Sequence, residues 1–129
     1  MRIIITESKI NTIISKYIDK MFNDINYSYG YDDDGNEVDY AIEFYVGDYD
    51  DDDTIFRWYS EDYWDIEDDT HNLNSQKKKD ESPILDVYDN NELIIGLIDT
   101  FGSDLWKEPL IKWFEEKFEL PVTSVTRDV

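Results

Sequence analysis

The sequence predicts an α+β domain: a mainly antiparallel sheet of five to six strands with two amphipathic helices, about 7–23 and 104–118, packed on one face. Three observations predict it. Apolar residues recur at steps of three and four near each end of the chain, and the middle alternates at every second residue. Between them, strands and helices do not follow one another in the regular alternation that marks a parallel sheet. At 129 residues, 40% hydrophobic and 16% aromatic, the chain is long enough for one core and too aromatic for a disordered acidic tail. It reads as a single domain, 1–129.

The first helix rests on Ile10, Ile13, Ile14, Tyr17, Ile18, Met21 and Phe22, which fall on one face at helical spacing. Thr6 is placed to cap it, with Glu7 favourably in its first turn. The period then changes to two. Tyr27, Tyr29 and Tyr31 alternate, Asp34-Gly35 supplies a turn, and Val38, Tyr40, Ile42, Phe44 and Val46 alternate with polar or small neighbours, which predicts a hairpin. Residues 54–60 make a third strand, with Phe56 and Trp58 on one face and Ile55, Arg57 and Tyr59 on the other. Residues 61–82 lose all periodicity and read as a long polar loop. Residues 83–89, an Asn90-Asn91 turn and the apolar stretch 92–99 predict a second hairpin.

In the last segment Leu105, Trp106, Leu110, Trp113, Phe114 and Phe118 share a helical stripe. Pro109 allows two starts: a regular helix from near Glu108 with the proline in its first turn, or a Ser103-capped turn followed by a kink. A short strand near 120–126 closes the chain.

Charge is the dominant bulk property. Thirty-two acids against 12 bases give a formal −20, a field that repels nucleic acid and anionic bilayers and attracts basic proteins and cations. There is no cysteine, which removes disulfides, thiol catalysis and zinc–thiolate sites together. The longest apolar runs are too short for a secretory signal or a membrane span, so the expected location is the cytoplasm of a host cell or a virus particle.

Acids and bases are also segregated. Between Asp24 and Asp69 there are 18 acids and one base, Arg57. Four readings of this acidity compete. An EF-hand register with Gly35 at its sixth position puts Gly30 first and Ala41 twelfth, where a bidentate glutamate is needed, so no calcium loop is expected there. Residues 48–53, with five aspartates in six positions, read first as a hydrated strand connection. They also suit a mimic of the DNA backbone, if carboxylates are held on a rigid frame at phosphate-like spacing.

The fourth reading mixes acids with rings, since aromatics anchor an interface while carboxylates steer it. It assigns partner binding to Asp39, Glu43, Asp48, Asp50, Asp51, Asp52, Asp53, Glu61, Asp62, Tyr63, Trp64 and Asp65. Trp58 and one of the tyrosines are expected in the core.

Catalysis finds little support. His71, the one histidine, stands in a polar loop with no nucleophile motif around it. Glu115 and Lys117 have a nuclease-like spacing, but on an amphipathic helix, where they read as charge pairing. No catalytic residue, metal site or cofactor is assigned.

The opening, MRIIITESKINTIISKYIDK, resembles the start of many short uncharacterised proteins of environmental tailed phages, in which a brief hydrophobic strand runs into an amphipathic helix. The resemblance covers about 20 residues. It implies a small phage protein, either a virion component or an inhibitor of a host enzyme, and brings no functional residue with it.

The expected function is non-enzymatic: an acidic surface docking onto a basic protein partner, with no direct binding of nucleic acid or membrane. The alternatives are a DNA-mimicking inhibitor of a host nucleic-acid-binding or defence enzyme, and a structural or assembly component of a virion.

Overall fold

The computed structural model describes residues 7–47, 54–63 and 80–128. Within them the elements follow as α1 (Glu7–Met21), β1 (Ile25–Tyr31), β2 (Glu37–Val46), β3 (Thr54–Tyr59), β4 (Ile84–Tyr88), α2 (Glu92–Phe101), α3 (Lys107–Phe118) and β5 (Ser124–Asp128). The strands form one sheet in the order β1-β2-β3-β4-β5. The first three pairings are antiparallel and β4–β5 is parallel, so the α+β class holds. Thr6, residues 48–53 and residues 64–79, including most of the expected polar loop, lie outside the described residues.

The β1–β2 hairpin is closed as its sequence predicts. Asp32 turns its carboxylate inward, where Oδ1 accepts from the backbone N–H groups of Asp34 (3.0 Å) and Asn36 (2.8 Å). Gly35 takes φ 82°, a conformation that side chains other than those of Gly, Asn and Asp rarely adopt. In register, Tyr27 faces Phe44 and Tyr29 faces Ile42 on one side of the sheet, while Ser28 faces Glu43 on the other. Strand β3 continues this division: Phe56 pairs with Phe44 and Trp58 with Ile42, and Arg57 pairs with Glu43.

The expected second hairpin is incorrect. Residues 92–101 form helix α2, not a strand. A six-residue apolar run has no periodicity that separates strand from buried helix, and its isoleucines favoured the strand reading. The deciding chemistry is at its ends. Asn91 caps the helix, its side chain accepting from the Leu93 N–H at 2.9 Å and donating to the Thr54 carbonyl at 3.3 Å. Gly102, at φ 87°, ends it and donates to the Ile98 carbonyl. Ile94 and Leu97, three apart, are its buried residues.

With a helix there, the C-terminal half becomes strand, helix, helix, strand. That is a connection long enough to lay β5 parallel to β4, and it accounts for the one parallel pairing. The expectation of two helices is exceeded: α2 is added, and residues 61–63 and 80–81, the described ends of the expected polar loop, are helical as well. Helix α3 resolves the Pro109 question: it starts at Lys107, so the proline sits in the first turn, where its missing N–H has no partner to lose.

Helices α1, α2 and α3 all contribute to one core. Ile14, Ile18 and Phe22 of α1, Ile94 and Leu97 of α2, and Leu110, Trp113 and Phe114 of α3 meet Ile42, Phe44, Phe56, Trp58, Leu85 and Val87 of the sheet. Phe44 is its aromatic centre, with ring centroids 5.1 Å from Phe56, 5.1 Å from Phe114 and 4.7 Å from Phe118. Burial of each such ring stabilises the fold by about 1.5–3 kcal/mol. The three tyrosines of β1 stay largely outside this space; Tyr27, Tyr29 and Tyr31 are 51%, 37% and 71% exposed. They lie on the edge strand, where the helical layer gives out.

Candidate functional site

Where α3 ends, the helical layer stops short of the β1–β2–β3 corner and leaves a groove of about 790 Å³. Tyr27 and Tyr29 of β1, Tyr40 of β2, Trp58 of β3 and Phe118 of α3 line it; Tyr27 touches Phe118 edge to face, and Tyr40 also packs against Ala41, Tyr59 and Ile84. Asp39 and Asp62 are at its rim. A second depression of about 490 Å³ shares Tyr29, Asp39 and Tyr40 with the first and extends it along the hairpin past Glu37 and Val38. Volumes of this order are those of ordinary ligand sites, and rings with a few converging polar groups are their usual lining.

The sequence makes this corner for local reasons. Period-two alternation sends every second β1 residue toward the helical side, so Tyr27 and Tyr29 share it, before the register shifts ahead of Tyr31. Tyr27 is held against Phe44 (6.1 Å between centroids), Phe118 (6.4 Å) and Tyr29 (5.6 Å). Trp58, 6% exposed, is fixed by donation from its Nε1 to the Pro121 carbonyl at 2.9 Å. The chain leaves β3 through Ser60, whose N–H donates to the Tyr40 carbonyl at 2.8 Å, and this bond sets Asp62 beside the start of β2.

Carboxylates gather at this corner. The Tyr40 phenol is raised above its ordinary value, first by partial burial and then by the negative charges of Asp32, Asp62, Asp33 and Asp39. Four acids separated by up to thirty positions in sequence thus act on one ring. Among the described residues that line the groove the one cation is Lys117, on the α3 side, with its ammonium 5.8 Å from the Trp113 ring centroid.

The opposite face of the sheet holds a second polar cluster, and it is closed. Arg57 forms an ion pair with Glu43 and donates from Nη1 to the Tyr59 hydroxyl. Its guanidinium carbon lies 5.5 Å from the ring centroids of both Tyr59 and Tyr88. Burial alone would favour loss of the Arg57 proton. The oxygens of Tyr59, Tyr88 and Glu43 more than offset this and hold the group charged above its ordinary value.

Burial pushes the Tyr59 hydroxyl strongly up, against the pull of Arg57, and raises that of Tyr88 to about 12 by the same cause. Tyr63 stacks on Tyr59 at 4.2 Å and 24°, and Asp86, 3% exposed, accepts from the Thr126 hydroxyl at 2.7 Å.

The residues assigned to partner binding therefore divide. Asp39 and Asp62 meet at the groove, and Glu61, next to Asp62, is exposed. Glu43 faces the other way and is engaged by Arg57; Tyr63 is half-buried on Tyr59. Asp48, Asp50, Asp51, Asp52, Asp53, Trp64 and Asp65 lie outside the described residues. The strand β3 sets the flank of the aspartate run, Thr54, about 17 Å from Tyr59 at about 3.3 Å per residue. Sequence reasoning missed Tyr27, Tyr29, Tyr40 and Phe118 as site residues. The signal was present in the tyrosines alternating on a strand that has a partner on one side only.

Among the described residues no three or more His, Cys, Asp or Glu side chains are grouped to hold a metal ion, and no helix is long and apolar enough to cross a membrane. No protein-family model matches the chain, and neither a curated protein nor a solved structure matches it.

Proposed function

We propose that the protein is a non-enzymatic binding module that docks the acidic, tyrosine-lined corner of its sheet onto a basic protein surface. One observation carries this reading: Asp39 and Asp62 stand at the rim of an aromatic groove, with Asp32 and Asp33 close enough to act on the same Tyr40 ring. Rings supply apolar contact that becomes buried on docking, and carboxylates orient the approach and accelerate it.

The disposition of Arg57 supports the same reading. It is the one base between Asp24 and Asp69, and its guanidinium is committed to Glu43 and two tyrosines on the far face. It is not placed to neutralise the corner. Gathering of the described acids around rings favours docking to a protein over imitation of a regularly spaced phosphate backbone.

The test is affinity capture from a bacterial lysate at low and high salt, comparing the protein with an Asp39→Asn/Asp62→Asn variant. A basic partner retained at low salt, released as salt rises and lost by the variant is the expected result. Identical capture by both proteins would refute the assignment to this corner.

A further inference from the structure

The two faces of the sheet contain the same components in different relation. On the closed face a guanidinium lies between two tyrosine rings, each 5.5 Å away, and is paired with a carboxylate. At the groove, Tyr27 and Tyr29 stand edge to face, 5.6 Å apart, and Asp39 and Asp62 share the lining with them; Tyr40 lines it too while packing against the Ala41, Tyr59 and Ile84 cluster. Among the described residues neither Asp39 nor Asp62 forms an ion pair. From this repetition we infer that the groove is a receptor for an arginine side chain on an extended basic segment of the partner, its guanidinium stacked on the tyrosines and paired with Asp39 and Asp62.

The inference rests on the docking function proposed above and specifies its chemistry. Arginine is favoured over lysine because a planar, weakly hydrated guanidinium stacks on rings and meets carboxylates edge-on at the same time; an ammonium does only the second well. An extended segment fits because a second depression, sharing Tyr29, Asp39 and Tyr40, adjoins the groove at the hairpin. Lys117 on the α3 side sets a polarity: the cationic head lies toward the aspartates and the apolar stem toward Phe118.

The experiment is a nuclear magnetic resonance titration of the whole protein with three short Gly/Ser peptides that differ only in carrying arginine, lysine or citrulline. The arginine peptide is expected to shift the signals of Tyr27, Tyr29, Tyr40 and Trp58. It should bind about threefold to tenfold tighter than the lysine peptide, with citrulline weakest. Tyr29→Ser and Asp39→Asn/Asp62→Asn are each expected to weaken it about fivefold or more, while Tyr29→Phe, which keeps the ring, retains most of the affinity. Lys117→Gln is expected to bind as well or better.

Equal affinity for arginine and lysine, with shifts confined to the aspartates, would overturn the arginine receptor and leave the docking function standing. So would failure of every peptide to bind while lysate capture still depends on Asp39 and Asp62. If capture is also insensitive to those aspartates, both readings fall. Thermal melts of each variant establish that a loss of binding is not a loss of fold; the exposed position of Tyr29 makes its substitution structurally mild.

Discussion

The two faces of this sheet differ less in composition than in completion. On one, Arg57, Glu43, Tyr59 and Tyr88 engage one another, although the buried Arg57 Nε keeps no hydrogen-bond partner. On the other, tyrosines and aspartates are set side by side at a corner the helices do not reach, with their charge facing outward. A strand pair that places one opposite-charge couple, Glu43 and Arg57, in cross-strand register builds the closed cluster. Asp39, four residues before Glu43 in β2, and Asp62, beyond the end of β3, have no such base among the described residues. Substitutions should therefore separate: those on the closed face alter stability, and those at the groove alter binding.

The sharpest test of that separation is Arg57→Ala. It leaves Glu43 and the Tyr59 hydroxyl without their cation in a partly buried setting, and a loss of about 2–3 kcal/mol is expected in urea denaturation. Arg57→Lys recovers only part of this, since an ammonium cannot stack between Tyr59 and Tyr88 as the guanidinium does. Neither change is expected to weaken peptide binding once the protein is folded.

Alkali should attack the closed face next. Tyr88 titrates at about 12 in the fold against 10.0 for an ordinary tyrosine, and Tyr59 is raised further. Between these values the unfolded chain releases protons that the folded one keeps, so stability is full below pH 10.0 and falls as pH rises toward 12. In ultraviolet titration a subset of the 10 tyrosines should resist ionisation. A Tyr59→Phe/Tyr88→Phe variant should show a shallower decline.

At the groove the expected stability change is small and opposite in sign. Asp39→Asn/Asp62→Asn removes two of several mutually repelling charges, so stability should stay within about 0.5 kcal/mol or rise, most visibly at low salt. A marked loss would mean that these carboxylates hold the fold together and are not reserved for a partner. The smallest effect belongs to Glu119, which ends α3 in the left-handed region at φ 56°. Glu119→Gly relieves that conformation and should raise stability by up to about 1 kcal/mol without touching either face.

The parts of the fold visible in the sequence are those where a period persists. Helix α1, the β1–β2 hairpin with its Asp34-Gly35 turn, strand β3 and the body of α3 are predicted within a few residues. Helix α2 is not, because its six-residue apolar run favours neither period and its true marker, Asn91 as a cap, reads equally well as a hairpin turn. The groove was half legible. Asp39 and Asp62 are recognisable as acids near rings, but their meeting depends on the Ser60–Tyr40 backbone bond, which no local pattern announces. Tyr27 and Tyr29 look like core residues until it is known that the helical layer ends before reaching them.

The bond from the Trp58 indole to the Pro121 carbonyl spans 63 residues of chain. The base of the groove is therefore pinned by a segment that leaves the ribosome long after the strands forming its walls. A nascent chain that has exposed its tyrosines and aspartates still lacks the tie that fixes their floor. Under the docking function proposed above, competence to engage a partner would arrive late in synthesis, after most of the polypeptide has been made.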